Sequence, residues 1–440
     1  MPAQFVDQGL RWRQIIGERA VDLRRRLRAN KHEPASGYNI VILNQSIEDF
    51  PNISAIKFQL ELESQGHRVH TVHWQSGNPH IDREGMRGGA HLKADGCEIK
   101  VTGLPGFGDY PEFMALLMEH QAREADKKQA LDAGASKEEV GELSGIQVQT
   151  REDGVYIVYP EVDQDIRRVD GVNLMCDRPE DPGKLNAGIR LQKEMEDMGV
   201  FPLTSANAMN ISKDKVRSTK CFRSSDIPIP KGFEVERNSP FNEEHIRSLF
   251  ADLQFPVMVK DALGSGANGV NAFEDLEEAM QEVRRLYDSY HSIDIQEKIP
   301  PLVEDKGRPH LLRIIVQNGE VVGAIKWLGE VGDTVLPMRK GKFTGAEATV
   351  FELSDEQKQI AVNTAKSCLQ GLAGIDAMLV DGPDGKVDMS CLCVLETNSA
   401  PGFASFERYF GEVIPTIAEN FIKMIAVDKE HKRQPVPRQR

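Results

Sequence analysis

The chain has 440 residues, 40% of them hydrophobic and 28% charged, with a formal net charge of −14. That length calls for two or three domains, and the composition is that of a globular protein, with no run approaching the ~18 apolar residues of a membrane span. The acidic balance argues against general binding to nucleic acid, which needs basic surface to neutralise phosphates. Six scattered cysteines without a CxxC argue against a disulfide framework and point to a reducing cytoplasm.

Residues 1–36 read as a basic amphipathic helix with Leu10, Ile16, Ala20, Leu23 and Leu27 as its apolar stripe. Glu18 and Asp22 interrupt any secretory apolar region. Packing on the body or on a sister subunit is expected of this helix, and with it a homo-oligomer. Residues 37–210 open with an apolar run, YNIVILN (38–44), a helical pattern closed by Gly66, and an alternating HRVHTVHW (67–74). This is a βαβ unit, which favours a parallel sheet. Residues 78–110 are glycine-rich without a clear period, and 111–145 look helical and highly charged. The two fall in an insertion near 78–165. VDGVNLMC (169–176) is strand-like, a helix runs from Asp181-Pro182 to Gly199, and FPLTS (201–205) is a short strand.

The character changes after 210. In 211–300, KDKVRSTK starts a helix, FPVMVK (255–260) is a strand, FEDLEEAMQEVRRLYDSY (273–290) is an amphipathic helix and IDIQEKI (293–299) a strand. In 301–427, LLRIIVQNGEVVGAIKW (311–327) is a hairpin turning at Asn318-Gly319. A helix follows over 355–373, then two strands over 374–398 around Asp384-Gly385, then a last helix over about 411–427. Residues 428–440 are expected to be a disordered tail.

Three places carry chemistry. Gly264, Gly266 and Gly269 match GxGxxG, but VNAF intervenes before the next helix, so the dinucleotide-binding context is missing. The alternative is a strand–loop–strand flap whose backbone N–H groups wrap a polyphosphate, with Lys260 at the end of the incoming strand. A glycine-rich surface turn is the bland reading. Lys215 at a helix start is, taken alone, an exposed helix lysine. In VLETNSAPGF (394–403), Glu396 and Asn398 lie two apart on a strand and share a face, offering two hard oxygen donors suited to Mg²⁺. A two-residue turn at Asp384-Gly385 places Asp376 on the neighbouring strand opposite Cys393, three residues from Glu396 and within a diagonal or bulged contact of it. A polar edge strand facing water is the competing account. Cys391-x-Cys393 reads as small strand residues rather than a metal or redox pair.

DKVRS (214–218), DIPIP (226–230), VMVKDALGSGANGV (257–270), QEKI (296–299), RIIVQNGEVVGAIK (313–326), GIDAML (374–379) and LETNSAPGF (395–403) resemble, in order and spacing, the ATP-grasp superfamily, and within it the RimK-type ligases. The resemblance covers roughly 200–427, and residues 38–205 look like the family's preceding domain. It implies an α/β (α+β) fold, with an N-terminal parallel-sheet domain before a two-subdomain ATP-grasp body. It implies an ADP-forming ligase that joins the carboxylate of one substrate to the amine of an amino acid, peptide or protein tail. ATP and Mg²⁺, with Mn²⁺ as the alternative, would be its cofactors.

By the same resemblance, Lys215 and Lys260 would contact phosphates under the loop of Gly264, Ser265, Gly266 and Gly269. Gln296, Glu297, Lys298 and Ile299 would line the adenine hinge. Arg313 would neutralise charge developing on the transferred phosphoryl group, and Asp376, Glu396 and Asn398 would hold the metal. Leu311 stands where the family has an acid, so Glu304 or Asp305 is the candidate replacement. Arg339, Lys340 and Lys342 stand in place of the family's Asn/Arg-rich loop, with Arg339 the catalytic candidate. His310 is a candidate base for the amine, with a surface histidine as the plainer account. Open alternatives are a D-alanine- or glutathione-synthetase-type ligase, a non-catalytic ATP-binding regulator, and a dinucleotide-dependent oxidoreductase that would leave Lys260, Asp376, Glu396 and Asn398 without a role.

Overall fold

The computed structural model describes residues 37–45, 65–74, 78–82, 90–95, 99–103, 147–151, 154–159, 165–175, 182–264, 269–289, 291–302, 305–330, 347–381, 387–402 and 413–433. It also describes 55, 58–59, 61–62, 406 and 410. The expected helices over 1–36 and 111–145 lie outside these residues. The chain divides into two units, one of residues 1–175, 194–201 and 421–440, the other of 176–193 and 202–420.

The first unit contains the expected parallel sheet. β1 (Asn39–Gln45) runs parallel to β2 (Arg68–Trp74) on one side and to β9 (Gly171–Met175) on the other. Ile40, Val41, Ile42 and Leu43 in β1 are all buried, as a strand covered on both faces requires. Phe58, from the segment between β1 and β2, is fully buried and meets the ring of Phe421 at 6.2 Å. The glycine-rich stretch expected to lack a pattern contains three strands, β3 (Asn78–Asp82), β4 (Ala90–Asp95) and β5 (Ile99–Gly103). β5 adds antiparallel to β2, at the opposite edge of the first sheet from β10 (Phe201–Pro202). β3 and β4 join β6 (Gln147–Arg151), β7 (Gly154–Tyr159) and β8 (Asp165–Arg168) in an antiparallel sheet of their own, in the order β3-β4-β6-β7-β8. Polar and glycine-rich antiparallel strands carry little hydrophobic alternation, which is why the sequence pattern did not reveal them.

The second unit holds two further sheets. Its helices start where side chains can satisfy the first orphan N–H groups. After α1 (Pro182–Asp197), α2 (Ala206–Ser212) is capped by Ser205, and α3 (Lys215–Ser224) by Asp214, whose carboxylate accepts from the Arg217 N–H at 3.2 Å. The third sheet has the order β11-β14-β12-β13, from β11 (Gly232–Val235), β12 (Val257–Asp261), β13 (Val270–Phe273) and β14 (Ile293–Glu297). Its one face buries Val257, Val259, Ile293 and Ile295 against α4 (Glu243–Phe250) and α5 (Leu276–Asp288), through Ile246, Phe250, Met280, Val283 and Leu286.

The fourth sheet has the order β17-β16-β15-β18-β19. β15 (His310–Gln317) and β16 (Glu320–Leu328) form the expected hairpin, turning at Asn318 and Gly319 with φ of 48° and 81°. β17 (Glu347–Val350) pairs with β16, and β18 (Leu372–Asp381) and β19 (Val387–Asn398) complete the sheet. Leu312, Ile314, Ile375, Ala377, Leu392 and Val394 bury one face under α6 (Asp355–Ser367), which a Ser354–Gln357 capping box opens. The last helix, α7 (Val413–Arg433), runs six residues past the boundary expected for the tail. Among the described residues no helix is long and apolar enough to cross a membrane.

Candidate nucleotide and metal site

Alternation assigns the opposite faces of the third and fourth sheets to chemistry. In the third sheet, Val257 and Val259 point into the core, so Lys260 points away from it. Asp294 and Gln296 do likewise on the adjoining β14. Lys260 is buried, 7% exposed, and its ammonium donates to Gln296 Oε1 at 2.6 Å. Asp294, its direct cross-strand partner, comes within 3.8 Å of it and is itself fully buried.

The chain beyond β12 is held by Asp261. Its backbone N–H donates to Gly269 O at 2.8 Å, and its carboxylate accepts from Leu263 N–H at 3.0 Å and meets His291 Nδ1 at 2.8 Å. Gly269 has φ of 73°, and a Cβ there would lie 2.9 Å from Asp261 Cβ, so this end of the glycine loop needs glycine. Ser265 and Gly266 lie outside the described residues, as do Glu304 and Arg339.

Lys215, the first residue of α3, joins the two sheets' functional faces. Its backbone N–H donates to Ala262 O at 2.9 Å, its ammonium donates to Gly264 O, and it lies 3.8 Å from Glu396 Oε2.

In the fourth sheet, Arg313, Asp376 and Glu396 stand in one cross-strand row on β15, β18 and β19. The Asp384-Gly385 rule had placed Asp376 opposite Cys393. The ladder instead pairs Asp376 with Glu396 and Cys393 with Met378. Irregularities between Asp376 and Ala377 and between Leu379 and Val380 shift the register. Asn398, opposite Gly374, lies further along the same face. Arg313 grips Asp376 bidentately, Nε to Oδ1 at 2.7 Å and a terminal nitrogen to Oδ2 at 2.6 Å.

Burial pushes the Asp376 carboxyl up to about 6, against the pull of Arg313, and the neighbouring Glu396 adds to the rise. Burial also works against the Glu396 charge, but Lys215, Lys260 and Arg313 outweigh it and hold that carboxyl below its usual value. Two opposed carboxylates ringed by three cations fit a site for a divalent ion and polyphosphate. Among the described residues no three His, Cys, Asp or Glu side chains assemble, and the further oxygen-bearing side chain along this face is that of Asn398.

At the hinge, Gly232 faces Gln296, and a Cβ on it would lie 2.0 Å from Ile295 O. The Glu297 N–H donates to Lys231 O at 2.8 Å and the Lys298 N–H to Pro256 O at 2.9 Å. Asp305 is tied to Lys326 at 3.0 Å. His310 is not at the surface: it is fully buried, and its Nε2 accepts from Leu379 N–H at 2.9 Å. That bond occupies the nitrogen a base would use. The residue that motif reading missed is Asp294. Strand alternation two residues before Gln296 was the signal that could have found it.

Residues 212–425 match the model of the RimK-like ATP-grasp domain. This chain carries a RimK-like ATP-grasp domain. A probable alpha-L-glutamate ligase of Aliivibrio fischeri (strain MJ11) is 26% identical over 247 residues, 56% of this chain and 74% of that protein. The fold recurs in the D-alanine-D-alanine ligase of Coxiella burnetii, at 17% identity and a TM-score of 0.53 over 90% of this chain and 97% of that one. It recurs also in the ATP-grasp ligase PsnB complexed with precursor peptide PsnA2 and AMPPNP, at 15% identity and a TM-score of 0.50 over 90% and 100%. The domain match and the ligase relatives support an ATP-dependent carboxylate–amine ligase, and ATP with a divalent metal belongs to the chemistry of RimK-like ATP-grasp proteins.

Proposed function

We propose that this ligase makes an amide through an acyl-phosphate, with L-glutamate as one of its substrates and Mg²⁺ as its metal. The reading rests on one observation: Arg313, Asp376 and Glu396 form a row on one sheet, and Lys215 ties its end to the turn after β12. A substrate carboxylate attacks the γ-phosphorus of ATP, giving ADP and the acyl-phosphate. The amine then attacks the acyl carbon, releasing phosphate and forming the amide. Such phosphoryl transfer depends on positioning and charge neutralisation rather than on a protein nucleophile.

Lys215 and Lys260 hold the phosphates, with Gly264 and Gly269 at the two ends of the phosphate loop. Asp376 fixes the guanidinium of Arg313 so that its remaining N–H donors meet the transferred group. Glu396 and Asn398, with Asp376, supply the oxygen donors for the metal, which when bound neutralises phosphate charge. Gln296 fixes the Lys260 ammonium. The Glu297 and Lys298 amides are engaged, and the Ile299 N–H, which has no partner among the described residues, meets the base. Arg339 and its neighbouring lysines serve the anionic substrate. The similarity to probable alpha-L-glutamate ligases supports L-glutamate over the other amino acids.

The test is ADP release with Mg²⁺-ATP and L-glutamate against a panel of amino acids and peptides, with products read by mass spectrometry. ADP release that requires both partners, with a condensed product mass, is expected, along with its loss in Glu396→Ala. Failure of the wild type to bind ATP would overturn the reading. ATP binding with turnover only on other carboxylates would remove glutamate alone.

A further inference from the structure

Asp294 occupies the centre of a charged row across the third sheet. Glu234 on β11 and Lys260 on β12 are its two cross-strand partners. Glu234 is itself bound by Arg223 of α3, at 2.8 Å, and Lys215 of the same helix adds positive charge to the surroundings of Asp294. Asp294 is 0% exposed, and neither of its oxygens accepts a hydrogen bond from a described residue. Lys260, 3.8 Å away, donates instead to Gln296. A desolvated carboxylate without hydrogen bonds destabilises a fold, and an apolar residue would hold this strand better. Its use therefore lies in what it does to Lys260.

We infer that Asp294 is a positioning residue: it serves as counter-charge to Lys260 until nucleotide phosphates take that ammonium over, so that nucleotide binding is coupled to protonation of Asp294. The inference rests on the ATP-site reading of Lys260. Once phosphate oxygens compensate the lysine, the Asp294 carboxylate faces Glu234 and the phosphates with its attraction gone, and it takes a proton from solvent. Burial already pushes this carboxyl up to about 6, against Lys260, Arg223 and Lys215 and with Glu234 adding to the rise, so a modest further push protonates it near neutrality. By reciprocity, lower pH tightens nucleotide binding, by about tenfold for each unit that the nucleotide raises Asp294.

The experiment is titration calorimetry of the full chain with Mg²⁺ and a non-hydrolysable ATP analogue at pH 6.5, in buffers of different ionisation enthalpy. Wild type and Asp294→Asn are compared. The wild type is expected to take up on the order of half a proton more than the variant. Its dissociation constant should rise several-fold from pH 6 to pH 8, while that of Asp294→Asn changes less. Equal proton uptake and parallel pH profiles would overturn the inference, even with weaker binding by the variant, which a purely structural role would also produce. If Asp294→Asn does not fold, the wild type alone decides: uptake no greater than the analogue's own ionisation overturns it. A wild type that binds no nucleotide removes the ATP-site reading, and this inference with it.

Discussion

Arg313 and Asp376 form the tightest ion pair of the site, and each buries the other's charge. Asp376→Asn keeps the shape but removes the charge that orients the guanidinium. A fall in kcat of about 100-fold or more is expected, the scale of losing one preorganised charge contact, with the KM for ATP changed far less; steady-state kinetics checks this. Asp294 makes a different prediction, about stability. Its folded value of about 6 lies above its ordinary 3.8. The stability it lends is therefore present in full below the ordinary value and lost as pH rises through the folded one. Thermal melts of Asp294→Asn and wild type should converge near pH 4 and diverge in the variant's favour by pH 7. Lys260, Glu396 and Asn398 could be singled out from local motif spacing, and Lys215 only through the family resemblance, because alone it reads as an exposed helix lysine. Asp294 and the buried His310 were not legible in the sequence, since their meaning depends on what stands across a strand, and that neighbour is far away in sequence.

At the scale of elements, local signals carried most of the second unit. Asn318-Gly319 marked its hairpin, and the amphipathic run before Asp288 marked α5, because turn chemistry and helical period act over a few residues. Ser354→Ala should cost about 1 kcal/mol by removing one half of the capping box of α6, read as a shift in the denaturation midpoint. Gly232→Ala should do more to function than to folding. Its new Cβ would press on Ile295 O and move β11 away from the strand that carries Gln296. Weaker analogue binding with a native circular dichroism spectrum is the expected result. The pairing of β18 with β19 was misread because a turn rule assumes an unbroken ladder. Two irregularities break this one, and nothing in the residues between Asp376 and Val394 announces them.

For the whole molecule, the order of elements made the parallel sheet of the first unit readable in advance, while the two-subdomain body of the second was an implication of the family resemblance alone. The second five-stranded sheet of the first unit, β3-β4-β6-β7-β8, was opaque because its strands are scattered over some ninety residues of polar, glycine-rich chain. All described residues assigned to phosphate, hinge and metal fall in the unit of 176–193 and 202–420. An ATP analogue at about 100 times its dissociation constant should therefore stabilise that unit by ~2.7 kcal/mol, and scanning calorimetry should show the shift in whichever transition belongs to it. The broken ladder between β18 and β19 has a practical side. Both irregularities lie between the Asp376–Glu396 pair and the strand ends at Asp381 and Val387, so the register at the pair differs from the one that the connection at 382–386 would set in an unbroken ladder. Peptide tags or fluorescent reporters spliced into that connection should leave the ligase working, making it the natural place to attach a probe.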